Sequence, residues 1–389
     1  MHVAYVVSFA FPNMSAGTRR VIGISQALVH AGIDVTIYSA GDGNGSAANL
    51  AGLPNNVAVF YSGDRSDNSL LGARLIPPFF FGRKMSKILR KRRHHFDTML
   101  LYSGYTPMLL RLLLLGIRFK KRLFFDAVEW ASTGKALWKS PYYANVELAM
   151  RFLVPRCAGV ICISSYLEEW YQPRTRVLRV PAIYSVPEFT LNCNFPQKPS
   201  KKNPIKIAYL GNSAHDHVSL ICEFLQDNLK EFDCIQLHIA GSFEGSEIVR
   251  KIYSEDQDNT QIVLHGPLSQ KKGLDLLRGC HFSIFLREVN PVTSAGFPTK
   301  FVQAFSNSIP VITNSSSDLD LYLRDGDNCI KVFELTEQAL YDAFRRIVTV
   351  SGEQYKVLAK GAHHCASICF DPSVHSNNLL NFFSEVQSK

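Results

Sequence analysis

The spacing of apolar positions changes twice in the first forty residues. Residues 2–9 (HVAYVVSF) form a β-branched, apolar run of strand length. After the loop Pro12–Thr18, residues Val21, Ile22, Ile24, Leu28 and Val29 recur at helical spacing. Gly32 ends that helix, and residues 34–40 (DVTIYSA) return to a strand-like run. Strand, glycine-bearing loop, helix and strand make a βαβ unit, a crossover that implies a parallel sheet. Further strands are predicted over Val57–Tyr61, Thr98–Tyr102, Arg122–Asp126, Gly159–Ile163 and Val177–Val180. Residues 187–204 (PEFTLNCNFPQKPSKKNP) have no periodicity and read as a linker. A second series follows, with strands 205–211, 235–241 and 262–266 each ending in glycine, then HFSIFL (281–286) and IPVITN (309–314). Ser373–Val386 predicts an amphipathic helix. The pattern predicts an α/β chain of two Rossmann-like domains, 1–186 and 205–372, joined by 187–204 and closed by a C-terminal helix, 373–389.

Composition is compatible with that plan. The 389 residues are 46% apolar and 19% charged, which suits two buried cores and not a disordered chain. The most apolar stretch, Met108–Ile117, is broken by Arg111 and is shorter than the roughly 20 residues a membrane span needs. The N-terminus reads as a first strand, without the basic start and small-residue cleavage site of a signal peptide. Nine dispersed cysteines, none in a CxxC pair, lead to the expectation of reduced thiols in the cytoplasm. His363, His364, Cys365 and Cys369 read as a helix with buried thiols and surface imidazoles, since a closed zinc site needs firmer ligand spacing. No metal and no cofactor is expected.

Several chemistries are disfavoured. Residues 41–46 (GDGNGS) imitate a dinucleotide fingerprint, but they follow the second strand and read as a surface loop. There is no Walker A, HExxH or GxSxG pattern. The charge is concentrated: Arg74–Arg122 holds 13 Lys and Arg against Asp97, a net of +12 on a chain of +9. Such a patch points to an anionic partner. Its aromatic residues Phe79–Phe81 are contiguous and not interleaved with the basic ones, a poor match for nucleic-acid stacking platforms.

The stretch that carries chemistry is Phe282–Asp320. A strand ends at Arg287 and Glu288, and a Pro-, Ser- and Gly-containing loop enters a helix over Pro298–Asn307. Ligands of parallel sheets bind beyond the carboxyl ends of the strands, and a helix start there offers free N–H groups and partial positive charge. Gly296 permits close approach of the backbone to a diphosphate, Arg287 and Lys300 carry neutralising charge, and Gln303 lies one turn in, placed to bond ribose hydroxyls.

At these residues the chain resembles a family 4 (group 1) glycosyltransferase of the GT-B architecture. Gly296-Phe297-Pro298-Thr299-Lys300-Phe301-Val302 resembles the family's helix start, and Ile309-Pro310-Val311-Ile312 its following strand. Residues 11–41 resemble the opening of the acceptor-side domain, and residues 126–130 (DAVEW) an acidic Asp-x-x-Glu-Trp motif of polysaccharide-synthesis members. Residues 159–171 and 177–183 resemble the end of that lobe. Two departures stand out. Ala295 and Gln303 replace a pair of glutamates, and His215 and His217 stand where an Arg and a Lys often follow the glycine Gly211. If His215 substitutes, phosphate affinity becomes pH-dependent.

The resemblance implies two facing domains with a cleft between them. It implies a donor site of Gly211, His215, Arg287, Gly296, Phe297, Pro298, Thr299, Lys300 and Gln303. Gly17 is expected near the reacting sugar. Arg19, with Arg20, is either an acceptor-side cation or a solvated helix-start residue. Asp126 and Glu129 are either catalytic carboxylates or an N-cap and a surface acid. Trp130 and Trp138 either stack on ligand or are buried. The implied activity is metal-independent, retaining transfer from a nucleotide-diphosphate-sugar to a glycan or lipid-linked acceptor in cell-surface polysaccharide synthesis. The alternatives are a nucleotide-sugar epimerase or a degenerate binding protein of the same architecture. A basic helix over Phe81–Phe96, with Arg90, Lys91, Arg92 and Arg93 at its centre, is expected to hold the protein peripherally on the anionic inner face of a membrane.

Overall fold

The computed structural model describes residues 1–13, 15–43, 52–64, 81–104, 106–130, 141–211, 216–242 and 261–385. His215, Trp138 and Arg74–Phe80 lie outside them. The chain divides into two compact units, one of Met1–Ser185, Ser294–Phe297 and Asp371–Lys389, the other of Val186–Thr293 and Pro298–Phe370.

The first unit is built in order from β1 (His2–Val7), α1 (Ala16–His30), β2 (Asp34–Ser39), β3 (Ala58–Tyr61), α2 (Arg83–Lys91), β4 (Thr98–Tyr102), α3 (Thr106–Phe119), β5 (Arg122–Ala127), α4 (Pro141–Leu148), β6 (Gly159–Cys162), α5 (Ser165–Tyr171) and β7 (Val177–Arg179). Its seven strands lie in the order β3-β2-β1-β4-β5-β6-β7, all parallel. Val3–Val7 of central β1 are buried without alternation, as expected of a strand covered on both faces. In register, Val3 faces Val35 on one side and Thr98 on the other. Ser15 starts α1 by accepting from the Thr18 N–H, and Gly32 at φ +72° turns the chain after it. A π-helical turn, Ala149–Leu153, continues α4.

The second unit contains β8 (Ile205–Leu210), α6 (Val218–Asp227), β9 (Ile235–Ala240), β10 (Ile262–Gly266), α7 (Gln270–Arg278), β11 (Phe282–Phe285), α8 (Pro291–Ala295, whose end belongs to the first unit), α9 (Thr299–Ser306), β12 (Val311–Thr313), β13 (Cys329–Lys331), α10 (Glu337–Thr349) and α11 (Gly352–Cys369). Its six parallel strands run β10-β9-β8-β11-β12-β13. Residues 187–204 form no helix or strand, yet Phe195 is 8% exposed and stacks on Tyr355 at 4.8 Å, so this segment is anchored to the second unit.

The final helix, α12 (Pro372–Ser384), returns to the first unit. Leu379, Phe382 and Phe383 join Val3, Tyr5 and Phe124 in one core. Each such side chain contributes about 1.5–3 kcal/mol by leaving water. Gly159 makes room for it, since a Cβ there would lie 2.7 Å from the Phe382 ring.

The expected basic helix over Phe81–Phe96 is shorter, ending at Lys91. Its apolar side is not open: Met85 and Leu89 are 1% and 0% exposed, packed within their own unit. The need to cover the sheet has claimed the face that was expected to meet a membrane.

Candidate functional site

The carboxyl ends of β8 and β9 are closed by Gly211 and Gly241, at φ +152° and +151°. Their backbones touch, so a Cβ on Gly241 would fall 1.6 Å from the Gly211 carbonyl oxygen. Only glycine fits both demands, and the result is a floor of bare backbone at the strand ends. A Cβ on Gly211 would lie 2.7 Å from Lys300 Nζ, which hangs over that floor.

Lys300 reaches there from the first turn of α9 and donates to Asp216 Oδ2. Arg287, two residues past β11, places Nε 3.6 Å from Asp216 Oδ1. The Tyr209 hydroxyl donates to Asp216 Oδ2 at 2.8 Å, and Lys300 Nζ lies 4.5 Å from the centre of the Tyr209 ring. These side chains are largely enclosed: 4% exposed for Asp216, 12% for Arg287 and 20% for Lys300. Asn314, just beyond β12, clamps the Arg287 backbone, accepting from its N–H and donating to its carbonyl, both at 2.8 Å. Arg287 Nη1 is buried and has no hydrogen-bond partner among the described residues.

Burial pushes the Lys300 ammonium below its ordinary pKa, with Asp216 only partly restoring it, and burial lowers Arg287 in the same way. Burial and the adjoining Asp216 carboxylate drive the Tyr209 phenol up, so it stays a proton donor. The cluster has two cations against one carboxylate, an excess of positive charge in a place where water is scarce. Beside it, α9 begins at Pro298 without a side-chain cap, and the Phe301 N–H donates to the Pro298 carbonyl at 3.0 Å. Thr299 is half-buried, and Gln303, one turn in, is 5% exposed.

The structure thus brings Gly211, Arg287 and Lys300 together and sets Pro298, Thr299 and Gln303 along the adjoining helix. Gly296 and Phe297 group with the first unit, where the Ala295 carbonyl accepts from the Ser164 hydroxyl at 2.9 Å. Asp216, Tyr209 and Asn314 were not foreseen. Asp216 is adjacent to His215 in the segment 211–220, but its pairing joins residues 71 and 84 positions apart, which spacing does not disclose. Among the described residues no group of three or more His, Cys, Asp or Glu is placed to hold a metal ion.

In the first unit, Asp126 is 0% exposed. Its Oδ1 accepts from Arg20 Nη2 at 2.9 Å and its Oδ2 from the Tyr5 hydroxyl at 2.7 Å. Arg20 Nη1 donates to the carbonyls of Val180, at 2.8 Å, and Pro181. Burial opposes the Arg20 charge, but Asp126 overcomes it and holds that pKa above its ordinary value. Asp126 lies within β5 and is enclosed, so of the two expected readings it is neither an N-cap nor a surface acid. An acid following a strand looks the same in sequence whether it faces solvent or a buried arginine of another element.

Glu129 is exposed, and with burial and Asp126 it raises the pKa of the Tyr102 phenol. Trp130 is buried, its indole N–H donating to Glu147 at 2.7 Å and its ring edge-on to Trp170. Gly17, in the first turn of α1, lies against Tyr102 and Phe9; a Cβ there would be 2.9 Å from the Tyr102 hydroxyl. Arg19 is half-buried, and burial lowers its pKa. Of the basic quartet, Arg90 and Lys91 are exposed, Arg92 stacks on Phe60 at 3.6 Å, and Arg93 lies 5.4 Å from the Phe119 ring and donates to the Arg90 carbonyl.

No protein-family model matches the chain, and no curated protein matches its sequence. Solved structures do match its fold. Anabaena Alr3699/HepE, in complex with UDP and glucose, aligns at 13% identity and TM-score 0.68 over 99% of this chain and 100% of its own. The catalytic domain of starch synthase IV from Arabidopsis thaliana, bound to ADP and acarbose, aligns at 12% identity and TM-score 0.74 over 99% of each. WaaG, a glycosyltransferase involved in lipopolysaccharide biosynthesis, aligns at 12% identity and TM-score 0.65 over 99% of this chain and 100% of its own. At such identities the likeness concerns architecture. Two parallel sheets of seven and six strands, matched along nearly the whole chain, give this protein the GT-B fold.

Proposed function

We propose that the protein is a glycosyltransferase that binds a nucleoside-diphosphate sugar through its second unit and transfers the sugar to a glycan or lipid-linked acceptor. The observation that carries this reading is the convergence of Arg287 and Lys300 over the Gly211–Gly241 floor, beside the start of α9. Negative charge develops on a diphosphate as it leaves a sugar, and fixed cations and N–H dipoles in a dry site stabilise it without reorganisation. Arg287 Nη1, buried and without a partner among the described residues, is a donor that a phosphate oxygen could use. The structural neighbours described with UDP or ADP make a nucleoside diphosphate the natural first ligand to test.

In this reading the two cations take the charge-neutralising task that a divalent metal performs elsewhere, and transfer is metal-independent and retaining. Gln303 meets the ribose as a neutral ligand. Glu129, exposed on the first unit, accepts the acceptor hydroxyl's proton, while Asp126 holds Arg20 in place. Gly17 and Arg19 belong to the acceptor side. The product class is a cell-surface glycan or its precursor, made at the inner face of a membrane.

Calorimetric titration with UDP, GDP, ADP and their sugars tests the proposal. Micromolar binding of one diphosphate, with sugar release from its donor, supports it. No binding of any of them removes it. A second reading, a sugar-nucleotide binding protein without turnover, is favoured by Ala295 and Gln303 standing where the resemblance places glutamates. Tight binding with no transfer and no epimerisation selects that reading.

A further inference from the structure

We propose that the first unit carries a separate small-molecule site, a cleft beside the turn 92–97 that holds a phosphate monoester with a hydroxylated body. The cleft has a volume of about 490 Å³, within the roughly 300–1,000 Å³ of small-molecule sites. Its floor is a face of β2 and β3, with Thr36 and Tyr38 7% and 1% exposed and Phe60 half-buried. Its wall is the turn between α2 and β4, which contributes Arg92, His94 and His95. His2 and Asp97 close it at the amino ends of β1 and β4. Gly17 and Glu129 follow the carboxyl ends of β1 and β5, so the cleft lies apart from the acceptor side. The inference does not depend on any glycosyl transfer.

Arg92 is held in place by the protein itself. Its guanidinium lies 3.6 Å from the centre of the Phe60 ring, and that ring stacks on Tyr38 at 5.6 Å. The Tyr38 hydroxyl accepts a hydrogen bond from Arg92. With its face on a ring, a guanidinium still presents an edge of N–H donors, in the fork that matches phosphate oxygens. Little side-chain freedom is then left to lose on binding. His94 and His95 are exposed beside it, and among the described residues no carboxylate forms an ion pair with any of these three side chains. The acid of the cleft, Asp97, accepts the His2 N–H at 2.8 Å, which offsets part of its repulsion of an anion. A bare phosphate would leave most of the volume unfilled. The Phe60 ring is already engaged by Arg92 and Tyr38, so it gives a nucleobase no ready stacking platform. Asp97, and Thr36 with the His2 imidazole bonded to it at 2.7 Å, offer hydroxyl groups donors and acceptors instead.

The test is calorimetric titration of the whole protein, in lipid-free buffer, with ribose 5-phosphate and with ribose. The phosphate ester is expected to bind with a Kd of about 1 mM or tighter, and ribose at least about tenfold more weakly. Arg92→Gln should weaken the ester about tenfold or more, the loss of a charge-assisted hydrogen bond. Phe60→Leu keeps every charge but removes the ring under the guanidinium, and should weaken it about two- to fivefold. Lys87→Gln, the same loss of charge on the exposed side of α2, should leave the affinity within about twofold. Unfolding midpoints establish that each variant is folded. A measurement on the wild-type chain needs no variant: saturating ribose 5-phosphate should slow the carbethoxylation of His94 and His95 by diethyl pyrocarbonate, read by peptide mass spectrometry. No binding of the ester, equal binding of ribose, undiminished binding by folded Arg92→Gln, or histidines left unprotected would overturn the proposal. Binding lost in Lys300→Ala but kept in Arg92→Gln would put the phosphate at the Arg287–Lys300 cluster and overturn it as well.

Discussion

Arg20 Nη2 and Asp126 Oδ1 meet at 2.9 Å in the interior of the first unit, with side chains 2% and 0% exposed. The pair ties α1 to β5 and, through the carbonyls of Val180 and Pro181, to the chain leaving β7. A charge enclosed to this degree is tolerable only with its partner present. Asp126→Asn should therefore cost about 3–5 kcal/mol of stability, the usual penalty for leaving one buried charge unpaired. Urea denaturation reads this directly, and a loss below 1 kcal/mol would remove Asp126 from the structural role given to it.

Glu129 offers the contrasting case. Being exposed, its amide variant Glu129→Gln should change stability by less than about 0.5 kcal/mol. Turnover should fall about a hundredfold or more, with nucleotide binding intact, if this carboxylate takes the acceptor proton. Full transfer activity in Glu129→Gln would return the residue to a surface acid.

Lys300→Ala and Arg287→Ala should each weaken nucleoside-diphosphate binding by about 1.5–3 kcal/mol, the range for hydrogen bonds to charged groups. Calorimetry on both variants checks this, and unchanged affinity in both would remove the diphosphate from this site.

Asp216 should act in the opposite direction. Its carboxylate occupies the cations that a diphosphate would use and repels that ligand. Asp216→Asn should tighten binding by about 1 kcal/mol while lowering stability by about 2–3 kcal/mol, because Arg287 and Lys300 lose their counter-ion. Weaker binding would make Asp216 a positioning partner of the cations instead of their competitor.

A pH effect is expected away from this site. His238 on β9 and His265 on β10 share a hydrogen bond of 3.0 Å, and His238 also contacts Gln236 at 3.1 Å. Burial, then His265 and Lys206, lowers the His238 pKa to about 4 from an ordinary 6.5. Between those values the unfolded chain binds more protons than the folded one, so stability is full above the upper value and is lost as pH falls through the window. The ring is partly open to solvent, and we expect a loss of about 1–2 kcal/mol between pH 7 and pH 4. Denaturant midpoints across that range should show the slope, and His238→Gln should flatten it.

The strands were legible because parallel strands buried on both faces read as unbroken apolar runs. Thr98–Tyr102 occurs as predicted, and β5 and β6 differ by a single residue at one end. Three-residue β13 has too little pattern to be seen. The glycines ending β8 and β9 and the cations Arg287 and Lys300 were visible as strand ends and a helix start. Their counter-ion was not, because Asp216 is defined by partners distant in sequence, Arg287 just past β11 and Lys300 on α9. The same limit applies to Asp126, whose environment is made by Tyr5 and Arg20, 121 and 106 positions away. Met85 and Leu89 show a third kind of ambiguity: an apolar face on a basic helix has one pattern, and tertiary packing decides whether it turns inward.

Helix α12 has a consequence for synthesis. Residues 1–185 leave the ribosome long before Leu379, Phe382 and Phe383, which fill their core. Until those side chains arrive, Tyr5, Phe124 and their neighbours have an open face, while the second unit has every segment of its own sheet already in hand. The unit that begins first is therefore finished last, against the usual order of domain-wise folding along a growing chain. Shortening the chain at residue 370 would leave the earlier half holding a hydrophobic surface with nothing to close it.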